Sequence, residues 1–178
     1  MQTSDFRLQT SGFRKKLQIP TLKPEARSPK SDLQSEVQTA VIGDFQRNDF
    51  HQVIRDIRRN TVAIYFDNLA LFWRANGLGQ NYDLIFLLES SFLQYSHRDI
   101  QRLQARWPLA RIVMVAGSLA EGERRTGWLP AELIRYYWHQ WETEALPALT
   151  AFCDHRPSSW GLPLTASEEE RLLSCILA

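Results

Sequence analysis

The chain has 178 residues, of which 44% are hydrophobic, and 21 basic against 20 acidic residues give it a formal charge of +1. These values suit one domain with a substantial core, and they show neither a nucleic-acid footprint nor a field for acidic substrates. Two cysteines without a signal-peptide pattern, and no apolar run near the roughly 20 residues that span a bilayer, predict a cytoplasmic protein without disulfides or membrane contact.

The first segment, residues 1–38, is predicted to be a disordered basic tail. It carries three prolines among polar residues, and its apolar residues are too scattered to form a face. It holds seven Lys or Arg against four Asp or Glu, and three of the basic residues are adjacent at Arg14–Lys16. Basic arms that bind nucleic acid usually hold about five or more charges, so we do not expect nucleic acid as the partner.

After the tail, the sequence alternates between strand and helix patterns. Thr39–Asp44 is a short apolar run that ends in a turn signal, and helical spacing follows it as far as the β-branched run Thr61–Phe66. Asp67 is placed to cap the next helix, while Gly77 and Gly79 are placed to end it. The pattern therefore indicates a repeated strand-helix unit.

The second half of the domain continues this alternation. Leu84–Leu88 is an apolar strand, and Ser96 is placed to cap the helix that follows. Arg111–Ala116 and Leu133–Tyr137 are predicted to be a fourth strand and an edge-like fifth strand. Strands that are apolar on both faces and alternate with helices indicate a parallel sheet covered on both sides. We therefore predict a doubly wound α/β domain with five parallel strands over residues 39–152.

The last segment, residues 153–178, is predicted to be an extension with a short final helix. Ser167 and Glu170 have capping-box spacing, and Leu172 and Leu173 give the helix an apolar side. That side suits docking on the chain's own domain. A homodimer in which two chains exchange this helix is left open.

Five βα units of this size, with Asp44 ending the first strand and DLIFLL as the third, resemble the receiver domain of bacterial response regulators. The segment ARWPLARIVMVAGS is similar to the third helix, turn and fourth strand of that family, and the resemblance covers residues 38–152. The stretches WPLARIVMVAGS, EGERRTG, YYWHQW and WGLPLTASEEERLL are also similar to stretches of short planctomycete proteins. That second resemblance implies a family but no activity.

The receiver resemblance implies a pair of acids, a phosphoacceptor aspartate and a phosphate-binding hydroxyl, and of these groups the chain keeps one acid. Receivers hold Mg²⁺ with paired acids and transfer a phosphoryl group to an aspartate. Asp44 matches one acid, but no second carboxylate is adjacent to it. The phosphoacceptor position falls on Leu88, and the position of the phosphate-binding hydroxyl falls on Ala116. The resemblance therefore implies a degenerate receiver.

The lysine that holds phosphate oxygens in receivers is also missing, because no lysine occurs after Lys30. A guanidinium, from Arg124 or Arg125 for example, is not equivalent to a compact ammonium group. Glu89 follows Leu88, but strand alternation directs its side chain to the opposite face. We therefore expect no phosphoryl acceptance, no cofactor, no bound metal and no enzymatic activity.

The segment 133–141 concentrates the residue types that most often anchor protein interfaces. The candidate interaction residues are Arg135, Tyr137, Trp138, His139 and Trp141. An alternative interpretation is that the two tryptophans cover the sheet edge and fill gaps against the C-terminal extension. The first interpretation predicts a protein partner.

The loop 117–127 leaves the carboxyl end of a strand, where open α/β sheets bind ligands. It holds two candidate anion-binding residues, Arg124 and Arg125. Cys153 and His155 have a spacing too weak to indicate a zinc site. We expect a phosphorylation-independent receiver-like interaction module in bacterial signalling or regulation. The alternative hypothesis is a small α/β ligand-binding protein or enzyme that uses this loop.

Overall fold

The computed structural model describes residues 36–76, 79–120 and 133–162, together with residues 169, 170 and 173. All of these belong to one of the two compact units of the chain, residues 33–178. The segment predicted as a disordered tail lies almost entirely outside the described residues. The same is true of Gly77 and of positions 121–132 in the charged loop.

The described elements follow one another in the alternating order that the sequence predicts. The strands are β1 (Gln38–Gly43), β2 (Val62–Phe66), β3 (Leu84–Glu89), β4 (Arg111–Ala116) and β5 (Ile134–Tyr137). The helices are α1 (His51–Asn60), α2 (Leu69–Ala75), α3 (His97–Arg106) and α4 (Leu146–Cys153). A 3-10 turn (Asn48–Phe50) precedes α1, and a 3-10 turn (Trp138–Gln140) and a π-helical turn (Trp141–Ala145) join β5 to α4.

All five strands run parallel, in the spatial order β2-β1-β3-β4-β5. This is the flavodoxin-like order, in which the chain reverses its direction across the sheet between β1 and β3. The predicted fold class, a doubly wound five-stranded parallel sheet, is confirmed. Because the strands are parallel, their carboxyl ends meet at one edge, which we call the carboxyl edge.

The core lies on both faces of the sheet. On one face, Phe86 and Val115 pack among residues of α1 and α4. On the other face, Leu87 and Met114 pack among residues of α2 and α3. Every residue of β3 is buried, as expected for the central strand of such a sheet. Each large apolar side chain buried in this way contributes about 1.5–3 kcal/mol to stability.

The helix caps show where local signals succeed and where they fail. The capping box of α3 is confirmed, since the Asp99 N–H donates to Ser96 Oγ at 3.2 Å and the Ser96 N–H donates to Asp99 Oδ2 at 3.0 Å. The predicted cap of α2 is wrong, because Asn68 rather than Asp67 accepts the Leu71 N–H, at 2.9 Å. The extended turn after β2 is one residue longer than the sequence suggested, so the neighbouring residue takes the cap position.

The described residues of β5 and of the final helix agree with the elements that the sequence predicts. β5 lies at one edge of the sheet and begins at Ile134, one residue later than predicted. Glu169, Glu170 and Leu173 are helical, as predicted for the final helix, while Ser167 and Leu172 lie outside the described residues. Within the part of the chain that the structure describes, no helix is long and apolar enough to cross a membrane.

Candidate functional site

Open α/β sheets bind ligands beyond the carboxyl ends of their strands, at the point where the strand order reverses. In this chain that point lies between β1 and β3. The loops that follow Gly43 and Glu89 therefore form the first place to look for a site.

The side chain of Tyr95 fills the space between these two strands. Its hydroxyl lies 2.8 Å from the carbonyl oxygen of Ile42 and 3.1 Å from that of Leu88, so one O–H group serves both strands. The Gln94 side-chain amide donates to the same hydroxyl at 3.3 Å. Burial, and secondly the nearby Glu89 carboxylate, raises the pKa of Tyr95 far above its usual value, which keeps the hydroxyl a donor.

Gly43 makes this close approach of the two strands feasible. It has a φ of +128°, a conformation that other residues rarely adopt. A Cβ atom at this position would lie 2.5 Å from the Leu88 carbonyl oxygen and 2.8 Å from the Tyr95 hydroxyl. The crevice is therefore closed by the chain's own atoms.

The three degenerate receiver positions lie on neighbouring strands at the carboxyl edge, where Gly43 pairs with Leu88 and Glu89 with Ala116, but their side chains do not converge on one site. Asp44 is exposed, and its Oδ1 accepts the Gln46 N–H of its own turn at 3.3 Å. Leu88 is fully buried on the face covered by α1 and α4. Ala116 pairs in register with Glu89 instead of Leu88, so the Leu88 and Ala116 side chains are on opposite faces of the sheet.

Asp49, which the sequence analysis did not single out, connects the loop after β1 with the loop after β4. Its Oδ2 accepts hydrogen bonds from the Ser118 N–H at 3.1 Å, the Ser118 hydroxyl at 2.9 Å and Arg47 Nη2 at 3.0 Å. These contacts lower the pKa of Asp49, and the backbone hydrogen bond from Ser118 is the largest cause. The hydroxyl of Ser118, two residues after Ala116, is therefore already bound to a carboxylate.

The described first residues of the charged loop, 117–120, also form hydrogen bonds within the chain. The Gly117 N–H donates to the Glu89 carbonyl at 2.9 Å, and the Ala120 N–H donates to the Gly117 carbonyl at 3.0 Å. The Ser118 N–H donates to Asp49, as described above. The candidate anion-binding residues Arg124 and Arg125 lie outside the described residues.

The residues at this edge do not fit the magnesium site that the receiver resemblance implies. Asp44 binds its own turn, and Asp49 binds Ser118 and Arg47. Among the residues that the structure describes, no three His, Cys, Asp or Glu side chains come together in a group that could hold a metal ion. We therefore derive no step that uses a metal.

Arg135 is buried, so its prediction as an interface contact is wrong. Its Nη2 lies 2.7 Å from Glu89 Oε2, and the two side chains are 8% and 3% exposed. Arg135 is paired with Met114 and Glu89 with Ala116, so the ion pair crosses over β4. It connects the edge strand β5 to the central strand β3.

Tyr137, Trp138 and His139 form a layered group at the end of β5. The rings of Tyr137 and His139 are stacked, with centroids 5.7 Å apart, and the Trp138 ring meets His139 edge-on at 5.8 Å. The Arg135 guanidinium lies 5.4 Å from the centre of the Tyr137 ring, which links this group to the buried ion pair. Trp138 is 39% exposed, and His139 is exposed as well.

Trp141 is fully buried, so its prediction as an interface contact is also wrong. Its indole N–H donates to Asp56 Oδ2 at 3.0 Å, and its ring lies edge-on to Phe86 at 5.9 Å. The π-helical turn that begins at this residue directs the side chain into the core between α1 and α4. The alternative interpretation, in which this tryptophan fills space, is the correct one for Trp141.

The loop after β3 displays two apolar residues that the sequence analysis did not select. Phe92 and Leu93 are 47% and 58% exposed. They lie in a turn in which the Gln94 N–H donates to the Ser91 carbonyl at 3.3 Å and the Ser90 N–H donates to Gln94 Oε1 at 2.7 Å. Leu93 has a φ of +56°, a conformation that costs a branched residue about 1–2 kcal/mol.

Exposed apolar side chains therefore follow three neighbouring parallel strands at the carboxyl edge. They are Phe92 and Leu93 after β3, Leu119 after β4, and Trp138 after β5. We call these four residues the apolar rim. In the sequence, Phe92 and Leu93 of this rim form an apolar pair within a polar stretch, and that pair could have indicated the surface. Groups of exposed apolar residues rimmed by polar ones mark binding surfaces.

No family model, no curated protein and no solved structure matches this chain. Function is therefore inferred from the geometry of the carboxyl edge. That edge combines a closed crevice with an exposed apolar rim.

Proposed function

We propose that the chain is a cytoplasmic, phosphorylation-independent, receiver-like module that contacts a protein partner in bacterial signalling or regulation. In this proposal it is not an enzyme and uses no cofactor. One observation carries the proposal. The Tyr95 hydroxyl is hydrogen-bonded to carbonyls of both β1 and β3 at the crevice, while residues that follow β3, β4 and β5 at the same edge expose apolar side chains.

The chemistry of the edge argues against phosphoryl transfer. A buried leucine stands at the phosphoacceptor position, and the nearby Ser118 hydroxyl is bound to Asp49 at 2.9 Å. A phosphoryl group carries charge on its oxygens and needs cations or donors that are free to receive it. The carboxylates of Asp44 and Asp49 at this edge are instead hydrogen-bonded to groups of the chain itself.

The rim has properties that favour binding of a protein. Tryptophan and phenylalanine bury a large apolar area, and tryptophan is among the residues that most often dominate binding energy. The turn that carries Phe92 is held by Gln94, and Trp138 contacts a ring stack anchored on Arg135. A surface that is ordered before binding loses less conformational entropy when a partner arrives.

The test compares capture of proteins from the native cell extract by the immobilised full chain and by variants. We expect Phe92→Ala/Trp138→Ala to capture the partner about tenfold less. Leu109→Ala is the matched control, because Leu109 is 91% exposed but lies between α3 and β4, away from the carboxyl edge. Trp141 is left unchanged, since truncating a buried tryptophan costs about 3–5 kcal/mol of stability.

The comparison has two decisive outcomes. A protein that the wild-type chain and Leu109→Ala retain equally, and that the rim variant loses, supports the proposal. Equal capture by all three chains, with the rim variant folded by circular dichroism, contradicts it.

A further inference from the structure

The helix α3 carries a row of arginines on its exposed side. Arg98, Arg102 and Arg106 are four residues apart and all exposed. Residues with this spacing lie above one another on a helix, about 6 Å apart along its axis. We call these three residues the arginine row.

No carboxylate in the described part of the chain forms an ion pair with the arginine row. The acid within the same helix, Asp99, accepts hydrogen bonds from the Ser96 N–H at 3.0 Å and from its hydroxyl at 2.7 Å. Its carboxylate is therefore used in the helix cap. The N–H groups of the three guanidinium groups therefore remain available to bind another molecule.

The positive charge is concentrated on one face of the domain. The helices α2 and α3 together hold four arginines, including Arg74, and one aspartate, so their charges sum to +3. On the other face, α1 and residues 141–153 hold three arginines and three acids, which cancel. Among the described helices, those of the α2/α3 face therefore carry the net positive charge.

Two members of the row are held in position by aromatic rings. The Arg102 guanidinium lies 4.1 Å from the centre of the Trp73 ring, and that of Arg106 lies 5.2 Å from the centre of the Trp107 ring. The two tryptophan rings stack on each other with centroids 5.5 Å apart. A guanidinium next to a ring still presents its N–H fork, which matches a carboxylate.

The stability of α3 explains Arg106, which lies in the last turn where the helix dipole favours a positive charge, but it does not explain Arg98. Arg98 lies in the first turn of the helix, where the helix dipole disfavours a positive charge. The arginines also repel one another at four-residue spacing, and the one acid among them, Asp99, is bound in the helix cap. An arrangement that costs the isolated helix free energy is expected where a ligand of opposite charge binds.

We propose that the arginine row binds an acidic helical segment of a partner protein, whose Asp or Glu residues are also four residues apart. Helical spacing on both sides places each carboxylate opposite a guanidinium. Nucleic acid fits less well, because Trp107 is buried and the Trp73 ring is occupied by Arg102, so neither ring is open to stack on a base. This surface is separate from the apolar rim, and the inference does not rest on the function proposed above.

The test measures binding of two designed peptides to the full chain by fluorescence anisotropy at about 0.15 M salt. One peptide is a helix with glutamates four residues apart. The other has the same composition with its glutamates distributed around the helix. We expect the wild-type chain to bind the first peptide about tenfold more tightly than the second.

Matched variants separate the row from general attraction between charges. R98Q/R106Q removes two charges from the row and keeps Arg102 against its tryptophan, and we expect it to lose about tenfold in affinity for the first peptide. R55Q/R59Q removes the same charge from exposed positions of α1, and we expect unchanged affinity. Thermal melting confirms that both variants fold.

Three results would overturn the inference. Equal binding of the two peptides, or equal losses in the two variants, would show that net charge alone is responsible. Tighter binding of a single-stranded oligonucleotide, lost in R98Q/R106Q and kept in R55Q/R59Q, would assign the row to nucleic acid instead. None of these results depends on the apolar rim, so failure here is distinguishable from failure of the proposed function.

Discussion

Gly43 and Tyr95 are packed so closely that a Cβ atom on residue 43 would lie 2.8 Å from the Tyr95 hydroxyl. The same atom would lie 2.5 Å from the Leu88 carbonyl oxygen. The absence of a side chain at residue 43 therefore lets the ends of β1 and β3 and the Tyr95 hydroxyl approach one another closely. The closure of the carboxyl edge can therefore be tested by changing one residue.

We predict that Gly43→Ala lowers the free energy of unfolding by about 2–4 kcal/mol, because strain from its φ of +128° adds to the steric overlap. Gly79→Ala is the control, since Gly79 has a φ of +89° but no atom within 4 Å of its added Cβ. We expect this control to lose about 1 kcal/mol. Urea unfolding measures both, and equal losses would show that the packing at Gly43 contributes nothing.

We predict that Asp49 contributes acid-dependent stability. Its pKa is lowered in the folded state, so its contribution is complete above the ordinary value of 3.8 and is lost as the pH falls below that value. Asp49→Asn should lower stability by about 1–2 kcal/mol at pH 7, and its difference from wild type should shrink in acid. A difference that stays constant from pH 7 to pH 3 would contradict the role of the carboxylate charge.

We predict that the ion pair between Glu89 and Arg135 is strongly coupled. Arg135→Met removes the cation that lies 2.7 Å from the buried Glu89 carboxylate, which should cost about 3–5 kcal/mol. The double variant Glu89→Leu/Arg135→Met removes both charges, so it should recover most of that loss. Unfolding free energies of the two single variants and the double variant measure the coupling. Additive losses would rule it out.

We predict that Leu93 lowers the free energy of unfolding and contributes to binding of the partner. Asparagine tolerates the left-handed conformation better than leucine, and Leu93 is mostly exposed, so Leu93→Asn should raise stability by about 0.5–1 kcal/mol. The same variant should capture less of the partner that the apolar rim binds. A variant that gains stability and captures as much partner as wild type would remove Leu93 from the proposed surface.

The sequence predicted the elements whose signals are local. Ser96 and Asp99 of the capping box are three positions apart, and the apolar run of β3 is continuous, so the local pattern was sufficient to predict both. The alternation of strands and helices then restricted the fold to a doubly wound sheet, which the strand order confirms.

The contacts that define the site are not local, and the sequence did not predict them. The Tyr95 hydroxyl binds the carbonyl of Ile42, which is 53 positions away, and Arg135 pairs with a residue 46 positions away. Trp138 and Trp141 are the same residue type in the same short segment, so the sequence does not distinguish them. Trp141 is buried where the π-helical turn begins, while Trp138 is exposed. Hydrophobic pattern assigns residues to elements but does not tell which charged and aromatic side chains meet in the fold.

We propose that the carboxyl edge is closed to phosphoryl chemistry. The most direct measurement incubates the full chain with acetyl phosphate and Mg²⁺ and follows its intact mass, beside a receiver domain that is phosphorylated under the same conditions. We predict no phosphoryl adduct on this chain. An adduct that maps to an aspartate of the carboxyl edge, and that disappears in Asp44→Asn or Asp49→Asn, would contradict the account.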